Sequence, residues 1–188
     1  MIKAKPKKCK ICKSEFTPHN SMIKHCSPEC GYKIHTQTVD KKHKKEKKEY
    51  RLRVKTVSKW IEEAQTCVNS YVRLRDYHDP CISCGFVVTK NYLNGSGYHA
   101  GHFRSRGSAG HLRFNLHNIH KQCAECNIHK SGKVDDYRVR LIDKIGSAKV
   151  EALECNNDYR KIDREYCERV KAIFKEKTNR QKKRLGIQ

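Results

Sequence analysis

Eight of the chain's 11 cysteines fall into two sets of four, and this restricts the fold more than any other feature. The first set is Cys9-x2-Cys12 followed, 13 residues later, by Cys26-x3-Cys30. The second is Cys81-x2-Cys84 and, after a gap of 38 residues, Cys123-x2-Cys126. A Cys-x-x-C turn holds two thiolates at the angle a tetrahedral ion needs, and a second pair closes the tetrahedron. Disulfides compete with zinc for such pairs. The N-terminus, M-I-K-A-K-P-K-K, is basic and runs into no apolar segment, so no secretory signal is expected. No apolar run reaches membrane-span length either. A reducing compartment follows, and there paired Cys-x-x-C favours metal. Apolar residues make up only 36% of the chain and mean hydropathy is −0.91, which implies small cores that need such staples. Two readings of the first set stay open: four unrelated thiols, or a site in which His25 replaces a thiolate.

Charge narrows the partner. The chain carries 42 Lys and Arg against 20 Asp and Glu, a net +22. Such an excess points to nucleic acid. An anionic membrane is disfavoured, because no basic helix shows a wide apolar face. The densest run, Lys41 to Lys55, holds nine Lys/Arg against two Glu. Its residues are good helix formers without a continuous apolar stripe. Lys44, Lys45, Lys47 and Lys48 there are expected to contact phosphates by releasing counterions; a merely solvated linker is compatible with the same sequence.

These signals divide the chain into a four-cysteine zinc finger over 1–35, a basic helical or partly disordered linker over 36–57, a larger domain over 58–178 that holds the second cysteine set between flanking helices, and a frayed basic tail over 179–188. A helix is expected over 58–76, with Ser58 as N-cap and one apolar face formed by Trp60, Ala64, Cys67, Val68 and Tyr71. Asp79-Pro80 ends it. Tyr137, Leu141 and Ile145 mark another helix, stopped by Gly146. A short helix is expected near Ser147–Glu154, and a longer one from about Asp158. Cys155 and Cys167 have no local partner and read as free thiols.

The 38 residues enclosed by the second cysteine set must contain structure of their own. Gly95, Gly97, Gly101, Gly107 and Gly110 punctuate them as turns do. The spacing predicts one strand over His99–Arg104, a second over Leu112–Ile119, and a short helix beginning near Cys123–Asn127. The predicted fold class is therefore α+β: a zinc-stapled ββα core flanked by helices, with a separate small N-terminal finger. Arg104, Arg106, Arg113 and Lys130 crowd this module and are expected to hold backbone phosphates, which position DNA without reading its sequence.

H-x-G-H followed by N-I-x-x-x-C-x-x-C-N-x-x-K resembles the HNH, or ββα-metal, nuclease motif in its zinc-bound form, and is similar to that of endonuclease VII. Over nearly the full length the chain resembles the phage recombination family NinG, also called Rap. The N-terminal four-cysteine finger, S-K-W-I, P-C-I-S-C-G, A-G-H, L-R-F-N-x-x-N-I-H-K-Q-C-x-x-C-N-x-H-K-S-G and Y-R-V-x-L-I carry that likeness. The resemblance implies an endonuclease that cuts branched recombination intermediates, Holliday junctions or D-loops, by metal-assisted hydrolysis. It would work in the host cytoplasm with the nucleoid, as a homodimer on branched DNA. His102, the His of A-G-H, takes the general-base position. Asn118 matches the middle Asn, and Asn127 a ligand of a catalytic Mg²⁺ or Mn²⁺. His99 stands where such relatives carry an acidic ligand; it binds a softer ion, or His129 completes the site. Two other classes remain open: an HNH nuclease of linear duplex, and a zinc-finger DNA-binding protein without activity.

Overall fold

The computed structural model describes residues 5–87 and 97–187; the expected turn at Gly95 lies outside them. The chain divides into two units, Met1–Lys55 and Thr56–Gln188.

In the first unit, strands β1 (Lys7–Lys8) and β2 (Glu15–Phe16) pair antiparallel, Lys7 opposite Phe16. Between them the Cys9 N–H donates to the Ser14 carbonyl at 2.8 Å, and Lys13 takes a positive φ of 66° to close the knuckle. Helix α1 follows over Pro28–Arg53. Its start is well specified: the Ser27 hydroxyl accepts from the Cys30 N–H at 3.3 Å, and Pro28, with no N–H to satisfy, opens the first turn. The expected boundary at 35/36 is absent. Cys30 lies in the first turn of the same helix that carries the basic run, so finger and linker are one element. Cys30 is also the only buried residue of α1.

The second unit opens with α2 (Val57–Arg75). Its N-cap is Thr56 rather than Ser58; the Thr56 hydroxyl accepts from the Lys59 N–H at 3.4 Å. Strands β3 (Tyr98–His102) and β4 (Ile119–Cys123) form an antiparallel pair with His99 opposite Gln122 and His102 opposite Ile119. The second strand thus begins where it was expected to end. Leu112–Asn118 instead makes a 3-10 turn at Gly110–Leu112 and two further turns, with the Asn115 N–H on the Leu112 carbonyl and the Asn118 N–H on the Asn115 carbonyl, each at 3.0 Å. The expected short helix is a single π-helical stretch, Glu125–His129. Helices α3 (Val134–Ile145), α4 (Ser147–Cys155) and α5 (Arg164–Leu185) complete the unit. Gly146, at φ 87°, makes the corner between α3 and α4. Asp163, not Asp158, caps α5, which runs through most of the supposedly frayed tail.

Two apolar cores flank the β3–β4 pair. One joins Trp60, Ala64, Val68 and Val72 of α2 to Cys167, Val170 and Phe174 of α5, with Ala100, Phe114 and Ile119 at its end. Cys167 is fully buried there, a core residue as a small apolar thiol can be. The other gathers Phe103, Leu112, Tyr137, Leu141, Val150 and Leu153. The protein is an α+β fold with two cysteine tetrads able to hold zinc.

Candidate functional site

The tetrads supply the frame. In each set the four Sγ atoms lie within 4.8 Å of one another. Separations of 3.4 Å (Cys12–Cys26), 3.9 Å (Cys26–Cys30) and 3.8 Å (Cys84–Cys123) bracket the about 3.8 Å edge of a tetrahedron with Zn–S near 2.3 Å. His25 is not a ligand: its Nδ1 is 3.0 Å from the Ser27 carbonyl, and its ring lies over Gly31. In the second tetrad, burial pushes the Cys81 thiol up, and the backbone N–H groups of Cys123, Cys84 and Ser83 outweigh that and lower it. Burial, together with the thiols of Cys123 and Cys84, pushes Cys126 well up. Four crowded thiols cannot all ionise alone, and a dication is the group that allows it. Both donor sets fit zinc.

Beside the second tetrad lies a groove of about 470 Å³. One wall is β3, with His99 and His102; another is α2, with Asn69 and Arg73; Arg106, Asn127 and Ser131 complete it. Strict strand alternation would set His99 and His102 on opposite faces, yet both line this groove, the strand ending at His102. Among the described residues, no carboxylate lines it.

The His102 Nε2 lies 3.1 Å from the Arg113 carbonyl. A carbonyl only accepts, so Nε2 carries the proton and Nδ1 keeps the ring's free lone pair. Burial lowers this histidine to about 4; the Arg113 carbonyl opposes, and the charges of Arg106 and Arg113 reinforce the drop. It is therefore neutral near pH 7. Ahead of it, Gly101 is required by packing: a Cβ there would meet the Gln122 Oε1 at 2.0 Å. Gln122 cannot retreat, since its Nε2 donates to the Ser83 hydroxyl at 2.6 Å and the Gly132 carbonyl at 2.5 Å. The A-G-H sequence is thus the place where β3 lets a buried β4 side chain pass.

The Asn127 Nδ2 and the His99 Nδ1 are 3.0 Å apart, so the two residues expected as metal ligands do meet. His129 is exposed and does not line the groove. Asn118 is fully buried and committed: its Oδ1 accepts from the Arg104 N–H at 2.8 Å, and its Nδ2 donates to the Arg104 and Leu112 carbonyls at 3.0 and 3.3 Å. It pins the loop that leaves His102 and reaches no reacting atom. Arg104 is a correction. Its Nη1 donates to the Leu153, Glu154 and Asn156 carbonyls at 2.9, 3.1 and 2.5 Å. The carbonyls ending α4 have no intrahelical partner and carry partial negative charge, so this guanidinium is a helix cap and not a phosphate contact. Arg106 is exposed at the groove, Arg113 is half-buried with its Nε unpartnered, and Lys130 pairs with Glu125 at 3.2 Å. Lys44, Lys45, Lys47 and Lys48 are exposed on α1, with Lys45 only 3.9 Å from Glu49.

Sequence reasoning missed Asn69, Arg73 and Asp76. Gln65, Asn69 and Arg73 recur every four residues beside the apolar face of α2, and that polar stripe was the available signal. Asp76, 2% exposed, accepts from the Arg75 Nε and Nη2 at 2.6 and 2.7 Å and from the Lys121 N–H at 3.0 Å. Arg75 continues to the Leu116 and Ile119 carbonyls at 3.0 and 2.8 Å, which ties β4 to the end of α2.

A family model described as "Bacteriophage Lambda NinG protein" matches residues 1–184. This chain belongs to the NinG family. Relatives called "Protein ninG" include those of Escherichia phage lambda, 39% identical over 197 residues, Escherichia phage 933W, 38% over 195, and Salmonella phage P22, 38% over 197. Each alignment covers 94% of this chain and 94% of the relative. No solved structure matches. Both tetrads and the groove lie within the span matched by the NinG model. Among the described residues no helix is long and apolar enough to cross a membrane.

Proposed function

We propose that this NinG-family chain is a metal-dependent endonuclease that cuts branched DNA in recombination, acting as a homodimer. The observation that carries the reading is His102: a neutral imidazole with its proton fixed on Nε2, in a groove with arginines and, among the described residues, no carboxylate. Hydrolysis of a phosphodiester needs a base for water and positive charge around the phosphorus. The Nδ1 of His102 takes the proton as water attacks. Asn118 holds the loop beyond it, and Arg106 faces the anion. A bound phosphate beside the ring counters Arg106 and Arg113 and raises the histidine toward a useful basicity. The P–O3′ bond breaks, the 3′ oxygen takes a proton from solvent and His102 returns its own to solvent, giving 5′-phosphate and 3′-hydroxyl ends.

His99 and Asn127 would hold the catalytic ion, provided the Asn127 N–H now facing the His99 Nδ1 turned away to free that ring nitrogen and offer the amide oxygen. One imidazole and one amide, with no carboxylate among the described residues of the groove, suit Mn²⁺ or another nitrogen-tolerant ion better than Mg²⁺. When bound, the ion supplies positive charge at the leaving oxygen. The homodimer follows from the need to cut two strands across a symmetric branch.

The test compares a four-way junction with its linear arms, with Mg²⁺ and with Mn²⁺. Cleavage should favour the junction and Mn²⁺, and His102→Ala should lower it by roughly 10²–10⁴-fold without loss of junction binding. The acid-free groove also favours a second reading, a zinc-framed DNA-binding protein without activity. Junction binding by the parent protein with no cutting in either metal would establish that reading instead.

A further inference from the structure

The sequence placed every groove arginine on the β3–β4 module, but the α2 wall also carries a cation. Arg73 is half-buried, and burial lowers its guanidinium. No acid pairs with it among the described residues; its one hydrogen bond there is a long 3.5 Å contact from Nη2 to the Ser70 hydroxyl. One turn earlier, Asn69 lines the same groove. Gln65, 5% exposed, donates from Nε2 to the Asn69 Oδ1 at 2.8 Å, which leaves the Asn69 Nδ2 as that side chain's uncommitted donor. Opposite stand His99 and His102, with Arg106 at the rim. An unpaired guanidinium withdrawn from water is unfavourable unless an anion joins it. The groove is large enough for one phosphate group and a sugar, and among the described residues every side chain on its wall is positive or neutral.

We propose that Arg73, with Asn69 beside it, forms an anion clamp on α2 that grips one phosphate in the groove opposite the His99–His102 wall. The planar guanidinium offers two parallel N–H donors to two phosphate oxygens, which an ammonium cannot do. The clamp fixes the group in line for attack, a positioning task whose energy appears in turnover more than in binding. The DNA part rests on the nuclease reading; the anion site itself does not.

Two arms separate them. The first uses no activity. Inorganic phosphate should raise the melting midpoint of the zinc-loaded protein, and the rise should vanish in Arg73→Ala and shrink in Arg73→Lys. Zinc content and circular dichroism verify the fold, and Arg73→Lys, which keeps stem and charge, replaces the Ala variant if that fails to fold. A phosphate response that survives loss of Arg73 overturns the proposal. The second arm uses junction DNA. Arg73→Ala should reduce single-turnover cleavage by about 10²-fold with junction affinity within about threefold, and should lower the salt slope by about one. Affinity falling as far as cleavage would make Arg73 a general DNA contact and end the positioning role. If phosphate binding needs Arg73 but the parent never cuts DNA, the clamp stands and the nuclease reading falls.

Discussion

The two cysteine tetrads have the same chemistry but different surroundings. In Met1–Lys55 the tetrad is nearly all the interior there is: Cys9, Pro18 and Cys30 are its only buried residues among those described, and α1 beyond Cys30 buries nothing. In Thr56–Gln188 the tetrad sits beside two apolar cores. The first tetrad therefore stands where a core would be, while the second sits at a hairpin and a groove on a unit that has cores already. The same sequence signal can mean the whole fold of one unit and a local clamp in another.

Zinc removal should show the contrast most strongly. Structural zinc contributes on the order of 10 kcal/mol in small fingers. A Cys9→Ser/Cys12→Ser variant should lose the order of Met1–Lys55 outright, read as lost amide protection there. Cys81→Ser/Cys84→Ser should disorder the hairpin and abolish any groove function while α2 and α5 stay protected. Equal loss of structure in both variants would erase the distinction.

A large effect confined to the second unit is expected from Asp76→Ala. It leaves the half-buried Arg75 guanidinium without its buried carboxylate, a change that costs up to about 3–5 kcal/mol, less to the extent that water reaches Arg75. Denaturant unfolding should shift for Thr56–Gln188, and zinc retention by the first tetrad should not change.

Acid should separate the units next. Burial, then the charge of Arg75, lowers His120 to about 3, with Lys144 and His117 acting the same way and Asp76 opposing. The unfolded ring titrates near 6.5. Between about 3 and 6.5 the unfolded state binds a proton that the folded state refuses, so stability falls as pH drops through that window. His102, lowered to about 4, adds to the fall. Asp76 is also lowered: burial raises it, but the Arg75 guanidinium outweighs that. Its contribution is present above the unfolded carboxylate value and is lost further down. In denaturant melts between pH 7 and 5.5, His120→Asn should flatten the slope for the second unit, and an unchanged slope would show that this ring is not the sensor. The zinc thiolates, common to parent and variant, cancel in that difference.

The smallest structural effect belongs to Lys44, Lys45, Lys47 and Lys48. Exposed i,i+4 pairs such as Lys45–Glu49 contribute about 0.3–0.5 kcal/mol, so replacing all four by Ala should barely move stability. The salt dependence of DNA binding should weaken by nearly one unit of slope for each lysine that touches a phosphate; an unaltered slope would free α1 of any DNA role.

Much of this molecule could be read along the chain because its signals are local. Cys9 to Cys30 and Cys81 to Cys126 announce their tetrads by spacing. Trp60, Ala64 and Val68 announce the buried face of α2 by period, and Gly146 announces a helix end. Other signals misled because residue type shows charge without showing a partner. Arg104 read as a phosphate contact, but its partners are carbonyls of Leu153, Glu154 and Asn156, about fifty positions away in the chain. Asn118 read as part of the chemistry, and folding committed both its amide groups to the backbone of Arg104 and Leu112. The β4 strand was misplaced because Leu112, Arg113 and Phe114 alternate apolar and polar as a strand does; Leu112 and Phe114 instead turn into the two cores.

By itself, then, the sequence determined the two cysteine tetrads, the buried faces of α2 and α3, the basic character and the family, since each depends on composition or on spacings of a few residues. Only the tertiary structure decided that Arg73 faces the groove of His99, His102 and Asn127 from another helix while Arg104 does not. Those outcomes depend on which unpaired backbone groups and charges folding brings together, and a linear spacing does not encode that.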